Sequence, residues 1–425
     1  MVETASHKRV LTASLVGTAV EFYDFYIFGT AASLVFGPLF LSPAPPEIQL
    51  FASYVIFSVA FFARPLGAIA FGHFGDRVGR KSTLVVSLLL MGLSTFAIAF
   101  LPTYSDAGWI APVMLVVLRF GQGFGLGGEW GGAALLAVEN APKGWTARYG
   151  MFPQLGAPVG FVASNGLFLI LGATLTEEQF VAWGWRIPFA ASVVLVAVGL
   201  WVRLKLTETP AFRQAMAEAP PPRVPLGEVL SQHFRPTLAG TLAVVCCFAI
   251  FYIATAWALG YGVATLKYDR EAFLGAQIVS IAFLAGGIVL AAWLSDATSP
   301  RRVLMAGCVV TIVVGGLLGP MMGAGSLLLV GAYLALAQVA MGLVYGPLGA
   351  FLPSLFPARV RYTGVSIAFN TGGIIGGGLA PVVAQTLAEA GGLALVGAYL
   401  AAAATLSLIG LAMTRPIPQL APQAA

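Results

Sequence analysis

The sequence predicts an all-α integral membrane protein of twelve transmembrane helices, arranged as two six-helix bundles with pseudo-two-fold symmetry. Three observations carry this expectation. The 425 residues are 59% hydrophobic and 9% charged, whereas a water-soluble domain carries roughly 25% charged residues to keep a surface in water. The apolar residues fall into about twelve runs, each close to the ~20 residues that a spanning helix requires. Two landmarks recur between the halves. Gly72-His-Phe-Gly-Asp76-Arg77-Val-Gly79-Arg80-Lys81 returns in worn form as Ala292-Trp-Leu-Ser-Asp296-Ala-Thr-Ser-Pro-Arg301-Arg302, and Ala147-Arg148-Tyr149-Gly150 returns as Val360-Arg361-Tyr362-Thr363-Gly364. The two pairs have nearly the same offset, which marks an internal duplication.

The first predicted span, 11–37, carries Glu21 and Asp24, and the second, 51–73, carries Arg64 before Pro65. The charged hairpin around Asp76 leads into the third, 83–101. The fourth, 110–138, is glycine-rich and holds Arg119 and Glu129. The fifth, 149–172, starts after the Arg148 landmark, and the sixth, 185–205, follows Trp183-Gly-Trp185-Arg186. A polar, proline-rich break over 206–236 contains Pro220-Pro221-Pro222 and predicts a cytoplasmic linker with a short amphipathic stretch around Pro210–Ala219. The second half repeats the plan with 237–262, 274–294, 303–321, 326–352, 363–387 and 392–413. The expected units are therefore 1–205, the linker 206–236, and 237–425.

The net charge of +5 does not point to nucleic acid, because its placement is topological. Lysines and arginines gather at the termini and in every second loop, from Lys8 and Arg9 through Arg77, Arg148 and Arg235 to Arg301, Arg361 and Arg415. The alternate loops carry Lys267 and Arg270. This positive-inside bias puts both termini in the cytoplasm. No cleavable signal is expected, since the amino terminus runs directly into a full-length span. Cys246, Cys247 and Cys308 all lie in spans, so no disulfide framework is implied. His7, His73 and His233 lie at the cytoplasmic edge, and no metal-ligand spacing appears. No cofactor and no enzymatic chemistry are expected.

Charges within the spans point to function, because each costs at least about 2.5–3.5 kcal/mol at the bilayer centre. Glu21, Asp24, Arg64, Arg119 and Glu129 all fall in the first half, whereas the second half offers Gln338, Tyr345 and Asn370. Glu21 and Asp24 are three residues apart and share a side of their helix. Asp24 lies roughly 20 Å from the inner surface and Arg119 roughly 17 Å, at 1.5 Å per helical residue. An acid that alternates between an ion pair with Arg119 and protonation is a workable proton switch. The alternative is a static buried pair that fixes packing. For Arg64, snorkelling to the interface competes with solute contact. Arg186, among aromatics, is expected to anchor at the outer interface.

In the fourth span, residues 123–128 match a dinucleotide-binding glycine pattern, but no strand or helix start exists there to give it meaning. The glycines are instead expected to let helices approach backbone to backbone. Around Asp76, Gly72, Gly75 and Gly79 suggest a tight turn. Asp76, Arg77 and Arg80 are expected to form a cytoplasmic gate with helix ends, Glu139 among them. Its counterpart at Asp296 lacks the glycines and one Arg, which predicts a weaker lock on that side.

Gly72–Lys81 and Arg119-x-x-Gln122-Gly123 resemble signatures of the major facilitator superfamily. Further blocks resemble its metabolite:proton symporter subfamily: Gly17–Tyr26, Ala63–Gly67, Gly127–Ala133, Trp183–Phe189, Glu208–Phe212 and Arg361–Asn370. The resemblance covers nearly the whole chain and implies the major facilitator fold and import of a small organic solute with protons. The solutes of that subfamily are carboxylates such as shikimate, citrate and 2-oxoglutarate, or zwitterions such as proline and betaine. Its osmosensing members carry a long carboxyl-terminal coiled coil, whereas ten residues follow Arg415 here. A carboxylate symporter is therefore expected, with a zwitterion symporter or a passive facilitator or exporter as alternatives. The resemblance implies proton coupling at Asp24, Glu21 and Arg119. Arg119 and Arg64 are expected to meet a carboxylate. Tyr23, Gln154 and Asn165 would complete the pocket on one side, and Tyr252, Trp257, Gln338 and Asn370 on the other. The expected partners are the solute, the proton and the lipid bilayer, with the chain working as a monomer.

Overall fold

A computed structural model of the chain describes residues 2–78, 80–205, 225–357 and 360–414, and within these omits the side chains of 2–10, 13, 47, 72–78, 80–84, 195, 202–205 and 225. It is all helical across the described residues. Twelve long helical segments follow in order: α1 (Val2–Leu34), α2 (Pro46–Val78), α3 (Arg80–Ile98), α4 (Ile110–Glu139), α5 (Thr146–Thr174), α6 (Arg186–Lys205), α7 (Phe234–Ala264), α8 (Arg270–Ala297), α9 (Pro300–Met322), α10 (Leu327–Leu355), α11 (Arg361–Gly391) and α12 (Leu393–Met413). Each coincides with one predicted span. Among the described residues, nine are long and apolar enough to cross a membrane by themselves. A tenth is formed by Glu177–Gly184 and Arg186–Trp201 together, across a 46° bend.

The connections α4–α5, α8–α9 and α10–α11 lie at one end of the molecule, with Arg148, Arg301, Arg302 and Arg361, hereafter the basic end. Glu177 and Arg270 lie at the opposite end. The two halves meet where α5 packs along α8 and α2 along α11. Buried at the centre is α7, whose most apolar window is 94% buried; a helix apolar all round has to be covered on every side.

Small residues set the packing inside the first bundle. A Cβ on Gly123 would overlap the Ala60 backbone, one on Gly127 the backbone of Arg64 and Ala68, and one on Gly67 the backbone of Phe124. These three glycines let α2 and α4 touch main chain to main chain, as the glycine spacing predicted.

Several of the long helices are interrupted within their length. Leu126 ends one segment of α4 and Glu129 starts the next, with Gly127 and Gly128 between them. In α10, Tyr345 ends a segment before Gly346 and Pro347. Wide π turns interrupt α7 at Ile253–Trp257 and α11 at Ile374–Gly378. The fourth helix of each half is thus broken near the basic end, in keeping with the internal symmetry.

Two expectations need correction. Gly72 and Gly75 do not form a turn, because α2 stays helical to Val78 and α3 starts at Arg80. The connection is therefore shorter than the glycines suggested. The second half is also helical sooner than expected. Pro225–Gln232 forms a short helix that buries Val229, and α7 begins at Phe234. The amphipathic stretch expected at Pro210–Ala219 lies outside the described residues.

Candidate functional site

Between the bundles, at mid-height, lies a cavity of about 40 Å³, room for a few waters. From the first half it is lined by Glu21, Phe22 and Tyr26 of α1, Arg64 of α2, Leu126 and Trp130 of α4, and Ala157 of α5. The second half contributes mainly Phe248, Phe251 and Tyr252 of α7, Tyr345 of α10, and Phe369 and Asn370 of α11.

Arg64 is the distinctive group. It is 7% exposed, so it does not snorkel to an interface. Its Nε has no hydrogen-bond partner, and among the described residues its guanidinium forms no ion pair. It lies over two phenyl faces, 4.6 Å from the Phe25 centroid and 5.2 Å from that of Phe61. The Tyr345 hydroxyl, also lining the cavity, is buried without a partner. A buried guanidinium with an unbonded Nε and a buried, unbonded hydroxyl on the same cavity wall can take an acceptor from outside the chain.

Arg119 is placed differently. It is completely buried, donating through Nε to the Phe57 carbonyl at 3.2 Å and through Nη1 to Gln122 Oε1 at 3.0 Å. Phe25, Phe28 and Phe57 enclose its guanidinium at 4.0–4.8 Å. It does not line the cavity, and it makes no ion pair with Asp24. Asp24 is 1% exposed, and neither carboxyl oxygen has a hydrogen-bond partner. Its polar neighbours are Thr95 and Glu129. Gln122 Nε2 donates to Thr95 Oγ1 at 2.8 Å, and Ser87 donates to Glu129 at 2.7 Å. Asp24 and Arg119 therefore stand at the two ends of a polar chain through Thr95 and Gln122. Matching depth did not make them touch.

Glu21 lines the cavity although Asp24 does not. Residues three apart are offset by about 60° around a helix, and the cavity edge falls between these two. Tyr26 and Phe22 face the cavity beside Glu21 and stack on one another, with centroids 5.4 Å apart.

Of the other pocket residues expected from the sequence, Tyr252 and Asn370 line the cavity. Asn165 lines a smaller space above it, together with Thr30, which donates to Asn165 Oδ1. Tyr23 instead donates to the Pro188 carbonyl at 2.9 Å and ties α1 to α6. Trp257 is fully buried against Tyr261. Gln338 and Gln154 are buried without lining the cavity, and Gln154 bonds Trp130 and the Tyr345 carbonyl. Tyr26, Trp130, Phe248, Phe251 and Phe369 also line the cavity, although the sequence does not distinguish them. In an aromatic-rich membrane chain, no local signal separates a cavity-facing ring from a packing ring.

Both ends are closed. At the opposite end, Ser33 and Tyr54 of the first half donate to the Ala256 carbonyl in the π turn of α7, at 2.8 and 3.2 Å. Gln277 takes the neighbouring carbonyls of Ala254 and Thr255. Arg270 pairs with Glu177 across the halves at 2.8 Å. Arg186 donates to the carbonyls of Ala99 and Leu101, so it caps the end of α3 as well as lying by Trp185.

At the basic end, Asp296 accepts from the Ala147 and Arg148 backbone amides at 2.8 and 3.1 Å and from Arg148 Nε at 2.8 Å. The carboxylate thus joins the second half to the start of α5, where the helix dipole favours a negative charge. Glu139 is exposed at the end of α4. The side chains of Asp76, Arg77 and Arg80 lie outside the described residues.

The sequence profile of the Major Facilitator Superfamily matches residues 14–381. The chain belongs to this superfamily. It is a multi-pass inner-membrane transporter of a small molecule and not an enzyme. An inner membrane metabolite transport protein of Escherichia coli K12 is 46% identical over 96% of this chain and 94% of its own. The shikimate transporter of the same organism is 37% identical over 89% of this chain and 87% of its own. A proline/betaine transporter of Salmonella typhimurium is 29% identical over 92% and 79%. Among solved structures, a proton:xylose symporter superposes with a TM-score of 0.75 at 16% identity, covering 96% of this transporter and 95% of that chain. That likeness concerns the fold. Among the described residues, no cluster of His, Cys, Asp and Glu is suited to a metal.

Proposed function

We propose that this transporter is a proton-coupled symporter that imports a small organic acid by alternating access, with its basic end and both termini in the cytoplasm. The observation that carries the solute class is Arg64, buried on the wall of the central cavity with its Nε unbonded, together with the unbonded Tyr345 hydroxyl. A carboxylate supplies the missing acceptors, and Phe25 and Phe61 hold the planar guanidinium in place. The similarity to a shikimate transporter supports the same class.

Proton coupling is assigned to Asp24 and Glu21. An unbonded buried carboxyl is tolerated in its neutral form far better than as an anion, so the closed conformation is the one in which Asp24 carries its proton. Releasing that proton would leave a charge that draws the polar chain of Thr95, Gln122 and Arg119 toward it. Glu21, on the cavity wall, is placed to exchange protons with water there. The proton gradient is the energy source, no cofactor takes part, and one chain holds the complete cavity.

A second reading has its own observation. Glu21 and Arg64 line one cavity, and opposite charges fit a zwitterion, as the likeness to a proline/betaine transporter would suggest. The test is internal pH in dye-loaded proteoliposomes while carboxylates and zwitterions are added outside. Acidification with shikimate-like acids but not with proline or betaine supports the first reading. The reverse supports the second. Solute entry without proton movement would sink both and leave a facilitator.

A further inference from the structure

Besides the Asp296–Arg148 contact, the two halves are joined between the cavity and the basic end by bonds of neutral side chains. The last carbonyls of a helical segment have no intrahelical donor, and the breaks in α4 and α10 create such carbonyls within two long apolar helices. Gly127 follows the last residue of its segment, and Tyr345 is the last of its own. Each is taken up by a side-chain amide from the opposite half. Asn370 of α11 donates through Nδ2 to the Gly127 carbonyl at 2.7 Å. Gln154 of α5 donates through Nε2 to the Tyr345 carbonyl at 3.2 Å.

The arrangement is reciprocal: each half's broken fourth helix is bonded by the other half's fifth. The repeated Ala147–Gly150 and Val360–Gly364 landmarks begin those two fifth helices. Neighbouring contacts hold the amides in register. Trp130 donates to Gln154 Oε1 at 3.0 Å, which turns the Gln154 amide nitrogen toward Tyr345. Tyr362 donates to the Gly128 carbonyl at 2.6 Å. Gly150 and Gly349 meet backbone to backbone, so α5 can lie close enough to the α10 break for the bond to form.

We propose that Asn370 and Gln154, with Tyr362 in support, form the latch that keeps the cavity shut toward the basic end. In this scheme opening needs no ion pair to break at mid-depth, because two neutral amides let go of two carbonyls. Asn370, Trp130 and Tyr345 also line the cavity. A solute with an acceptor near Asn370 competes with Gly127 for the same N–H, which links occupancy to release. The latch rests on the alternating-access reading, and not on the identity of the solute or on proton coupling.

The test uses the full chain with Cys246→Ser and Cys308→Ser, leaving Cys247 on the cavity wall as the single thiol. Its labelling by a membrane-impermeant maleimide is timed in vesicles of both orientations. Asn370→Ala is expected to speed labelling from the basic end by roughly 2- to 10-fold, the range that one lost neutral hydrogen bond allows. Labelling from the opposite end should not rise. Tyr362→Phe, which removes one hydroxyl and leaves the fold undisturbed, should act in the same direction. Ser33→Ala should act in reverse, speeding labelling from the opposite end. If Asn370→Ala and Tyr362→Phe leave the basic end unchanged, or loosen both ends equally, the latch is refuted. If Cys247 is never labelled from either end in the parent or any variant, alternating access at this cavity fails, and the latch with it.

Discussion

Trp130 and Phe369 stack face to face, 3.6 Å between centroids and 3° between planes, although they belong to opposite bundles. An aromatic pair contributes about 0.5–1.5 kcal/mol beyond the area it buries, and this one forms the floor of the cavity. Trp130→Phe keeps a ring but loses the bond to Gln154, whereas Trp130→Ala loses both. Initial uptake rates should therefore fall modestly in the first variant and by roughly tenfold, about 1.4 kcal/mol, in the second. Native rates for Trp130→Ala would show that the stack has no part in transport.

Arg64 is expected to set solute affinity. Lysine keeps the charge but loses the planar fork lying over Phe25 and Phe61. Arg64→Lys should raise KM for uptake by about tenfold or more, equivalent to ~1.4 kcal/mol, and Arg64→Gln should abolish saturable uptake. Surface expression of both should stay near native. A native KM for Arg64→Gln would remove this residue from the site.

Asp24 and Glu21 should separate by assay. Asp24→Asn is expected to lose pH-driven accumulation while keeping exchange of labelled for unlabelled solute, since Asp24 does not line the cavity. Glu21→Gln should impair both, because Glu21 lines it. Native uptake should rise as external pH falls, and the Asp24→Asn profile should be flat. If Asp24→Asn still accumulates solute against its gradient, coupling lies elsewhere.

Asp296 bonds two backbone amides as well as Arg148. A charge swap, Asp296→Arg with Arg148→Asp, restores the ion pair but leaves the backbone amides of residues 147 and 148 without their acceptor. The swap should recover only part of the uptake lost in the single variants. Full rescue would mean that the ion pair alone matters.

Gly123 and Gly67 hold α2 and α4 together. A valine at either must push the two backbones apart, a cost of about 1–3 kcal/mol or more in a tightly packed contact. Gly123→Val and Gly67→Val should fail to accumulate in the membrane. Gly166→Ala, whose Cβ meets nothing within 4 Å, should accumulate normally, and equal levels for all three would contradict the packing.

Much of this was legible along the chain. Twelve spans, two halves and the close approach at Gly123 and Gly127 follow from hydropathy and residue size. These are one-dimensional quantities, because lipid demands an apolar face along the whole length of each segment. Which charge faces which space was not legible. Asp24 and Arg119 share a depth yet bond to different neighbours, because depth leaves rotation about the helix axis open. Glu21 and Asp24 differ by a small rotation, and that rotation put one on the cavity wall and the other inside a bundle. Gln154 and Asn370 read as pocket amides, but their partners are carbonyls released by breaks in helices of the other half. The sequence by itself determined the fold and the stock of polar groups within it. The tertiary structure alone decided that Arg64, and not Arg119, is the cation on the cavity wall, since that depends on how the helices are turned about their axes.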